Sequence, residues 1–283
     1  MTYRELYQQA KKLLIQAGKE NPAFDAFCLF SKATGFDRRQ YAIHGAEPAN
    51  PEQAKRLLTL IGLRAKGEPL QYLLGEWEFM GLPFYVGEGV LIPRGDTEIL
   101  VEEAARLLRE NGGNAALDLC GGSGAAAIGL ARLCPQAKAV SVELSDSALS
   151  YLQKNITLNR MEKRVSALQG DVLSCADRFQ EHSFDLLLSN PPYIPTGDLD
   201  GLQIEVQKEP RMALDGGQDG LLFYRAIAKS WLTKLRPGGG LAVEVGIHQA
   251  GNVAALLVEN GLKEVRILPD LAGIPRVVSG KID

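Results

Sequence analysis

The sequence lacks the features that would assign it to several protein classes. It has only four cysteines and three histidines, with no Cys-x-x-Cys pair, so neither a disulfide framework nor a zinc site is indicated. The 31 basic residues do not exceed the 34 acidic ones, and no run of Lys or Arg predicts a surface for nucleic-acid phosphates. No apolar run approaches ~18 residues, and the polar N-terminus is unlike a secretory signal. We therefore expect a cytoplasmic protein with no bound metal, no membrane segment and no direct contact with nucleic acid.

The 283 residues exceed the size of a typical single domain, so two domains are expected. Residues 1–74 carry apolar side chains at helical spacing, interrupted by Gly and Pro, which predicts a small helical bundle. Residues 75–95 are aromatic and β-branched and are broken by glycines, a pattern typical of a β-hairpin connection. In residues 96–283 short apolar runs alternate with helical patterns, which predicts an α/β domain with a mostly parallel sheet.

Individual elements of the α/β domain can be assigned from the same patterns. A helix is expected from Thr97 to Glu110, with Asp96 or Thr97 as its N-terminal cap. Near the C-terminus a helix from about Leu221 to Leu235 should be followed by a turn at residues 236–240 and a strand from Leu241 to Val245. The first four strands are expected at residues 115–119, 139–143, 165–168 and 184–189.

A segment of small residues joins the first strand of this domain to its first helix. Small residues let the backbone approach a ligand closely, and the N-terminus of the following helix presents unpaired N–H groups. Glu143, about 20 residues further on, can accept hydrogen bonds from both hydroxyls of a ribose. A dinucleotide-binding turn looks similar, and so does a tight turn without a ligand, but the pair of features favours an adenosyl group. The candidate cofactor residues in the segment are Asp118, Cys120, Gly121, Gly122, Ser123 and Gly124.

Two further residues are candidates for binding the adenine ring. Asp171 follows the third strand and could accept a hydrogen bond from the exocyclic amine, while Val172 packs against the ring. An exposed carboxylate in a turn is the alternative interpretation.

The tetrapeptide Asn190-Pro191-Pro192-Tyr193 directly follows the apolar strand at residues 184–189, at the edge of the sheet where ligands of α/β proteins bind. The two prolines fix the backbone and leave carbonyl groups free as acceptors. The Asn190 side-chain oxygen and the Pro191 carbonyl can accept both protons of a planar –NH2 group, while Tyr193 packs on the plane. These four residues are the predicted catalytic residues, acting by positioning and electrostatics without a general base. In isolation the tetrapeptide could instead be a rigid turn with an aromatic anchor.

These motifs together resemble class I methyltransferases, and the flanking sequence is similar to the HemK/PrmC family of peptide chain release factor glutamine methyltransferases. The resemblance covers nearly the whole chain. Its most specific parts are Arg64-(x)2-Gly67-Glu68-Pro69-Leu70-Gln71-Tyr72, Leu91-Ile92-Pro93-Arg94 before Asp96-Thr97-Glu98, and Glu209-Pro210 with the segment at residues 213–221.

The resemblance implies a doubly wound, mostly parallel seven-stranded sheet, preceded by an N-terminal helical-bundle domain that helps to hold the substrate and by a connecting β-hairpin. It implies methyl transfer from S-adenosyl-L-methionine to the glutamine of the Gly-Gly-Gln loop of bacterial class I release factors, with S-adenosyl-L-homocysteine as product. The cofactor residues carried over are 120–124, Glu143, Asp171, Val172 and Asn190, the last serving both ligands. We expect a monomer.

The sequence departs from the family pattern at three positions. Cys120 stands where Gly is common, Gly121 where Thr is usual, and Gly95 where Pro is common. Because Cys is small, we expect altered local packing rather than loss of cofactor binding.

The tetrapeptide does not by itself identify the molecule that accepts the methyl group. DNA adenine methyltransferases use it for a similar planar –NH2, although they must flip the base and usually carry a basic recognition region. A ribosomal-protein glutamine methyltransferase would share most of the same core. A binding module that keeps the cofactor pocket without catalysis is a third alternative.

Overall fold

A computed structural model describes all 283 residues of the chain, which form two compact units. The first unit comprises Met1–Glu76 together with Gln203–Lys208, and the second comprises Trp77–Leu202 and Glu209–Asp283. The segment Gln203–Lys208 falls in the sequence range expected for the α/β domain, yet it belongs to the helical unit. No helix in the structure is long and apolar enough to cross a membrane.

The first unit is a bundle of five helices, and its helix ends are satisfied locally. Thr2 and Asp37 each form a capping box at the start of a helix, accepting a hydrogen bond from the backbone three residues on. The buried side chains are apolar and recur at helical spacing, as with Leu6, Ala10 and Leu14 of the first helix. The helices are α1 (Tyr3–Gln16), α2 (Pro22–Thr34), α3 (Arg38–His44), α4 (Pro51–Ala65) and α5 (Leu70–Leu74).

A cluster of four charged side chains holds the segment Gln203–Lys208 within this unit. Glu205 accepts hydrogen bonds from Lys19 Nζ and Arg64 Nη1, both at 2.7 Å, and Arg64 Nε bonds Asp25 at 2.7 Å. Burial raises the pKa of Glu205, but the bonds from Lys19 and Arg64 outweigh it and lower the pKa to about 2. Next to Glu205, Ile204 packs so closely on Gly67 that a Cβ at Gly67 would lie 2.8 Å from its side chain.

The expected hairpin is present as the strands β1 (Glu76–Phe79) and β2 (Leu82–Tyr85). Gly81, with φ at 73°, adopts the left-handed conformation that the tight turn between the strands requires. Phe79 and Phe84 are buried edge to face, with 6.0 Å between ring centroids.

The second unit is built on a seven-stranded sheet with the strand order β5-β4-β3-β6-β7-β9-β8. All neighbouring pairs are parallel except those of β9, which runs antiparallel to β7 and β8. Successive strands move outward from β3 to β5 and then resume on the other side of β3 with β6. The carboxyl ends of β3 and β6 therefore flank the topological switch point, where α/β proteins bind ligands. The strands are β3 (Ala115–Leu119), β4 (Lys138–Glu143), β5 (Val165–Gln169), β6 (Phe184–Ser189), β7 (Leu235–Glu244), β8 (Lys263–Pro269) and β9 (Pro275–Lys281).

Helices cover both faces of this sheet, because its central strands are apolar on both sides. Along β6, Leu186 and Leu188 belong to one buried cluster and Leu187 to the other, and all three are fully buried. The first cluster includes side chains of the helices that follow the hairpin, and the second includes Tyr224, Trp231 and Val253. The helices are α6 (Thr97–Glu110), α7 (Ala125–Leu133), α8 (Asp146–Leu158), α9 (Leu222–Ala226) and α10 (Ala250–Glu259).

Three local expectations are corrected. Neither Asp96 nor Thr97 caps α6 through its side chain, since Asp96 has helical backbone angles and pairs with Arg276 at 3.2 Å. The helix expected up to Leu235 is α-helical only over Leu222–Ala226 and continues as a π-helical and then a 3-10 turn. The expected turn at 236–240 is a bulge inside β7, because Phe184 pairs with Leu235 while Leu186 pairs with Gly240.

Candidate active site

The Gly-rich turn after β3 needs small residues for reasons visible in its backbone. Gly121 N–H donates to the Val142 carbonyl at 2.8 Å, and a Cβ at Gly121 would lie 2.1 Å from Ser141 Oγ. Gly122 and Cys120 have φ values of 55° and 65°, in the left-handed region. That conformation costs a residue with a Cβ about 1 kcal/mol or more, and this cost applies at Cys120.

Glu143 lies at the end of β4 and its two carboxylate oxygens are fixed by the backbone. One oxygen accepts from Gly122 N at 2.8 Å, and the other accepts from Ser145 N at 2.7 Å. An ionised carboxylate has about four acceptor positions, so two remain for other donors. This arrangement ties the Gly-rich turn directly to the carboxylate predicted to bind the ribose.

Asp118, the last but one residue of β3, is only 1% exposed. The only side chain that donates a hydrogen bond to this carboxylate is that of Ser141, whose Oγ lies 2.7 Å from Asp118 Oδ2. Burial raises the pKa of Asp118 to about 7, opposed by the bond from Ser141 and reinforced by the charge of Glu143. A carboxylate held in this way would gain from a cationic partner, and the amino group of a methionine moiety is such a cation.

The residues predicted to bind adenine follow β5. Asp171 Oδ1 accepts from the Leu173 backbone N–H at 2.8 Å, which fixes the carboxylate in a turn. Val172 is 4% exposed, and its carbonyl accepts from the indole of the buried Trp231 at 2.9 Å. Asp171 and Val172 are therefore held rigidly at the same edge of the sheet as Glu143.

Two cavities lie at this edge, and the empty space in them, counted together with the part open to solvent, is about 630 Å³ and 390 Å³. Both are lined by Cys120, Gly122 and Asn190, so they are adjacent parts of one cleft. Of the predicted residues, the larger cavity also contains Glu143, Asp171, Val172 and Pro192, and the smaller contains Asp118, Gly121 and Ser123. Gly124, Pro191 and Tyr193 line neither cavity.

The tetrapeptide leaves β6 with two hydrogen-bond acceptors that have no partner in the protein. Asn190 uses its amide –NH2 to donate to Thr97 Oγ1 at 3.1 Å, and its Oδ1 accepts no hydrogen bond. The Pro191 carbonyl likewise accepts none from the backbone or from a side chain. The side-chain oxygen of Asn190 is not enclosed by the protein, because no buried side-chain polar atom lacks a partner. The sequence predicted these two acceptors to act together on one planar –NH2.

Tyr193 is anchored from both its backbone and its side chain. Its carbonyl accepts from Gln249 Nε2 at 2.8 Å, and its hydroxyl lies 3.5 Å from Glu244 Oε1. A Cβ at Gly220 or Gly216 would lie 2.3 Å and 2.7 Å from Tyr193 backbone atoms, so both positions need glycine. Burial raises the pKa of Tyr193, as does the charge of Glu244, and the phenol is a neutral donor.

Several residues of the cleft were recognised in the sequence only as parts of family-like segments without a role. Leu91 lines both cavities, and Pro210 lines the larger one, as does Met212, which lies outside those segments. Glu209, 5% exposed, accepts from Ile92 N at 2.9 Å and pairs with Arg94, so it holds the segment that contains Leu91. In the sequence, only the spacing of these motifs was informative. Spacing does not show which distant segments lie close together in the fold.

Two family models match successive parts of the chain. Residues 5–75 match a family model described as the PrmC N-terminal domain. Residues 96–207 match the model described as the methyltransferase small domain.

Individual relatives match over almost the full chain. A release factor glutamine methyltransferase of Geobacter sulfurreducens is 43% identical over 99% of this chain and 97% of its own length. One from Moorella thermoacetica is 40% identical over 98% of this chain and 97% of its own length. Among solved structures, the hMettl16 catalytic domain in complex with a 3′UTR hairpin has a TM-score of 0.58 at 14% identity, covering 90% of this chain and 91% of that one. A T. Thermophilus 16S rRNA methyltransferase in complex with AdoMet and guanosine has a TM-score of 0.50 at 22% identity, covering 74% and 50%. The two structures are similar to this chain in fold, that of the class I methyltransferases.

Proposed function

The chain belongs to the release factor glutamine methyltransferase family, and from that premise we propose that it methylates the glutamine of the Gly-Gly-Gln motif in bacterial class I peptide chain release factors. The acceptor atom is the side-chain amide nitrogen, and the methyl donor is S-adenosylmethionine. Since the substrate is a translation factor, the reaction takes place in the cytoplasm.

The observation that carries the proposal is the pair of unpartnered acceptors at the tetrapeptide. A glutamine amide nitrogen has two protons and a lone pair delocalised into its carbonyl, so it is a poor nucleophile in the ground state. If Asn190 Oδ1 and the Pro191 carbonyl accept the two protons, they favour a pyramidal nitrogen whose lone pair is directed away from both acceptors. Because the two prolines fix the backbone, little reorganisation is needed during the reaction.

The groups that line the cleft match the chemistry of S-adenosylmethionine. Glu143 has acceptor capacity left for the two ribose hydroxyls, and Val172 offers a buried apolar surface to the adenine ring. Asp118 offers a buried carboxylate to the ammonium group. The cofactor supplies a methyl group on a sulfonium sulfur, which keeps the electron pair of the broken C–S bond. Asn190 lines both parts of this cleft, and its unpartnered Oδ1 is the atom that we propose for contact with the acceptor.

The residues of the site account for the remaining steps. Asn190 and Pro191 hold the glutamine nitrogen while its lone pair forms the new N–C bond. The alkylated nitrogen is strongly acidic and loses one of its protons to solvent, so no side chain has to act as a base. Tyr193 contributes an aromatic surface beside the planar amide, and its pKa, raised by burial, keeps the phenol neutral. Catalysis by this site is therefore a matter of positioning and electrostatics.

Two observations favour a release factor over the other planar acceptors. The match to the PrmC N-terminal domain over residues 5–75 covers the helical unit, which we propose as the docking surface for the protein substrate. The formal charge of −3, without a basic tract, is unsuited to double-stranded DNA. A ribosomal-protein glutamine shares the amide chemistry, and the experiment below distinguishes it.

The test is transfer of a labelled methyl group from S-adenosylmethionine to purified acceptors. We expect label in a cognate release factor, at the Gly-Gly-Gln glutamine, and none in a release factor whose glutamine is replaced by alanine. Label in ribosomal protein or in DNA, with none in the release factor, would overturn the assignment of substrate. Cofactor binding without label in any of these acceptors would indicate a non-catalytic binding module.

A further inference from the structure

The amide of Asn190 can catalyse the proposed reaction in only one of its two orientations. With Oδ1 toward the substrate it accepts a proton of the glutamine –NH2, but after a 180° rotation its own –NH2 would oppose that group. The two orientations have nearly the same shape, so hydrogen bonds must select between them. The structure contains a chain of hydrogen bonds that can do so.

The chain of hydrogen bonds runs from Asn190 through Thr97 to Glu244. Asn190 Nδ2 donates to Thr97 Oγ1 at 3.1 Å, and Thr97 Oγ1 donates to Glu244 Oε2 at 2.7 Å. Thr97 and Glu244 are 4% and 2% exposed, so water does not compete for these bonds. The three residues lie in different parts of the fold: Asn190 directly follows β6, Thr97 is the first residue of α6, and Glu244 is the last residue of β7.

The direction of each bond follows from the chemistry of the groups. A carboxylate only accepts, so the hydroxyl proton of Thr97 is committed to Glu244. The oxygen of Thr97 then presents only lone pairs to Asn190, and only the –NH2 side of the amide can bond to it. Asn190 Oδ1 is thereby turned away from Thr97 and left free. The other oxygen of Glu244 lies 3.5 Å from the Tyr193 hydroxyl, so one carboxylate contacts Tyr193 directly and is linked to Asn190 through Thr97.

We propose that Thr97 and Glu244 are positioning residues for methyl transfer, which hold the Asn190 amide with its oxygen toward the substrate. This inference rests on the proposed function for the identity of the substrate, but the orientation of Asn190 can be measured without it. Thr97 lines the smaller cavity, but its hydroxyl is engaged by Asn190 and Glu244, so we assign both residues an action through Asn190 and not on the reacting atoms.

The protonation state of Glu244 should control this orientation. Burial raises the pKa of Glu244 to about 7, and the negative charge of Asp96 raises it as well. The hydrogen bond from Thr97 and the positive charge of Arg276 act in the opposite direction. Tyr193 faces the carboxylate, and Tyr224 donates to the Glu244 backbone carbonyl at 2.8 Å. Once protonated, the carboxyl group can donate to Thr97, whose own proton becomes available to Asn190 Oδ1. The incorrect amide orientation is then no longer excluded.

The kinetic test compares Thr97→Val, which keeps the shape but removes the hydroxyl, with Thr97→Ser, which keeps the hydroxyl. We expect Thr97→Val to slow single-turnover transfer to the glutamine by about 10- to 100-fold, less than the ~10²- to 10³-fold of a lost transition-state bond. Thr97→Ser should stay within about threefold of the wild type by the same argument. Because Thr97 lines the smaller cavity, the affinity for S-adenosylhomocysteine is measured for both variants, so that a change in cofactor binding is separated from a change in the transfer step. Thr157→Val, at an exposed position of α8, is the matched control. Equal rates for Thr97→Val and Thr97→Ser would overturn the proposal.

The second test observes the Asn190 side chain directly and needs no substrate. In ¹⁵N-labelled protein the Asn190 –NH2 resonances, assigned by their loss in Asn190→Asp, should titrate with a midpoint near pH 7. Glu244→Gln should abolish this titration, and it should also remove the matching fall in transfer rate below pH 7. Resonances insensitive to pH and to Thr97→Val would refute the inference even if the wild type methylates a release factor. If no release factor is methylated but the titration is seen, the proposed function fails and the positioning chain of hydrogen bonds stands.

Discussion

Replacing Glu143 by glutamine should weaken cofactor binding by a predictable amount. The wild-type carboxylate accepts from Gly122 N and Ser145 N and keeps two acceptor positions for the ribose hydroxyls. A glutamine side chain has one oxygen, so its –NH2 group would face a backbone N–H or a hydroxyl that donates to the carboxylate in the wild type, and that hydrogen bond would be lost. Losing one charge-assisted hydrogen bond costs ~1.5–3 kcal/mol, which corresponds to a ~10- to 100-fold rise in Kd. Titration calorimetry with S-adenosylhomocysteine measures this change directly.

The control for this prediction is Glu259→Gln, an exposed glutamate at the end of α10, which should leave Kd unchanged. The unfolding temperature of Glu143→Gln should also be recorded, because the two backbone N–H groups lose part of their partner. A Kd equal to that of the wild type in a folded Glu143→Gln protein would refute the assignment of Glu143 to the ribose.

Three further predictions follow from contacts described above. Asn190→Ala should reduce the single-turnover transfer rate by about two orders of magnitude or more while S-adenosylhomocysteine binds normally, the loss expected for one transition-state hydrogen bond; an unchanged rate contradicts the two-acceptor mechanism. Glu244 has a folded pKa of about 7 against 4.5 when unfolded, so the stability it contributes is complete below pH 4.5 and is lost as the pH rises through 7. Denaturant titrations should therefore find Glu244→Gln more stable than the wild type by up to about 3 kcal/mol at pH 8, with the difference shrinking toward pH 5. Glu205 has a pKa lowered to about 2, so its contribution is present above pH 4.5 and disappears as the pH falls through 2. Glu205→Gln should lower the free energy of unfolding by ~1–3 kcal/mol at pH 7, which is below the usual value for a broken buried pair because the side chain is 26% exposed. The loss should be smaller at pH 3. A loss that does not depend on pH would contradict a stabilising role for the ion pairs of Glu205.

Local patterns predicted most of the α/β unit because its elements are encoded locally. The strands Ala115–Leu119 and Phe184–Ser189 and the helix Thr97–Glu110 agree with the expected bounds, since each has a clear apolar period. The family resemblance is confirmed by relatives aligned over nearly the whole chain.

The sequence failed where a residue's role depends on a distant partner. Thr97 resembles a helix cap, but its hydroxyl bonds Glu244, which is 147 residues away. The bulge in β7 shares its Pro-Gly-Gly-Gly sequence with an ordinary turn, and only pairing with β6 distinguishes the two. Glu209 holds Ile92 and Arg94 across more than a hundred positions, which no periodic pattern can reveal. The cofactor and catalytic assignments remain predictions for the experiments described above.

The short segment Gln203–Lys208 has a consequence for dissecting the protein. The helical unit is discontinuous in sequence. It consists of the first 76 residues and of six further residues that come after the tetrapeptide at Asn190. A fragment that ends at Glu76 would leave Lys19 and Arg64 without Glu205, and Gly67 without Ile204. An exchange of N-terminal domains between relatives would therefore have to transfer two pieces of chain. Residues of this segment should change together with those at positions 19, 64 and 67 as the family diverges.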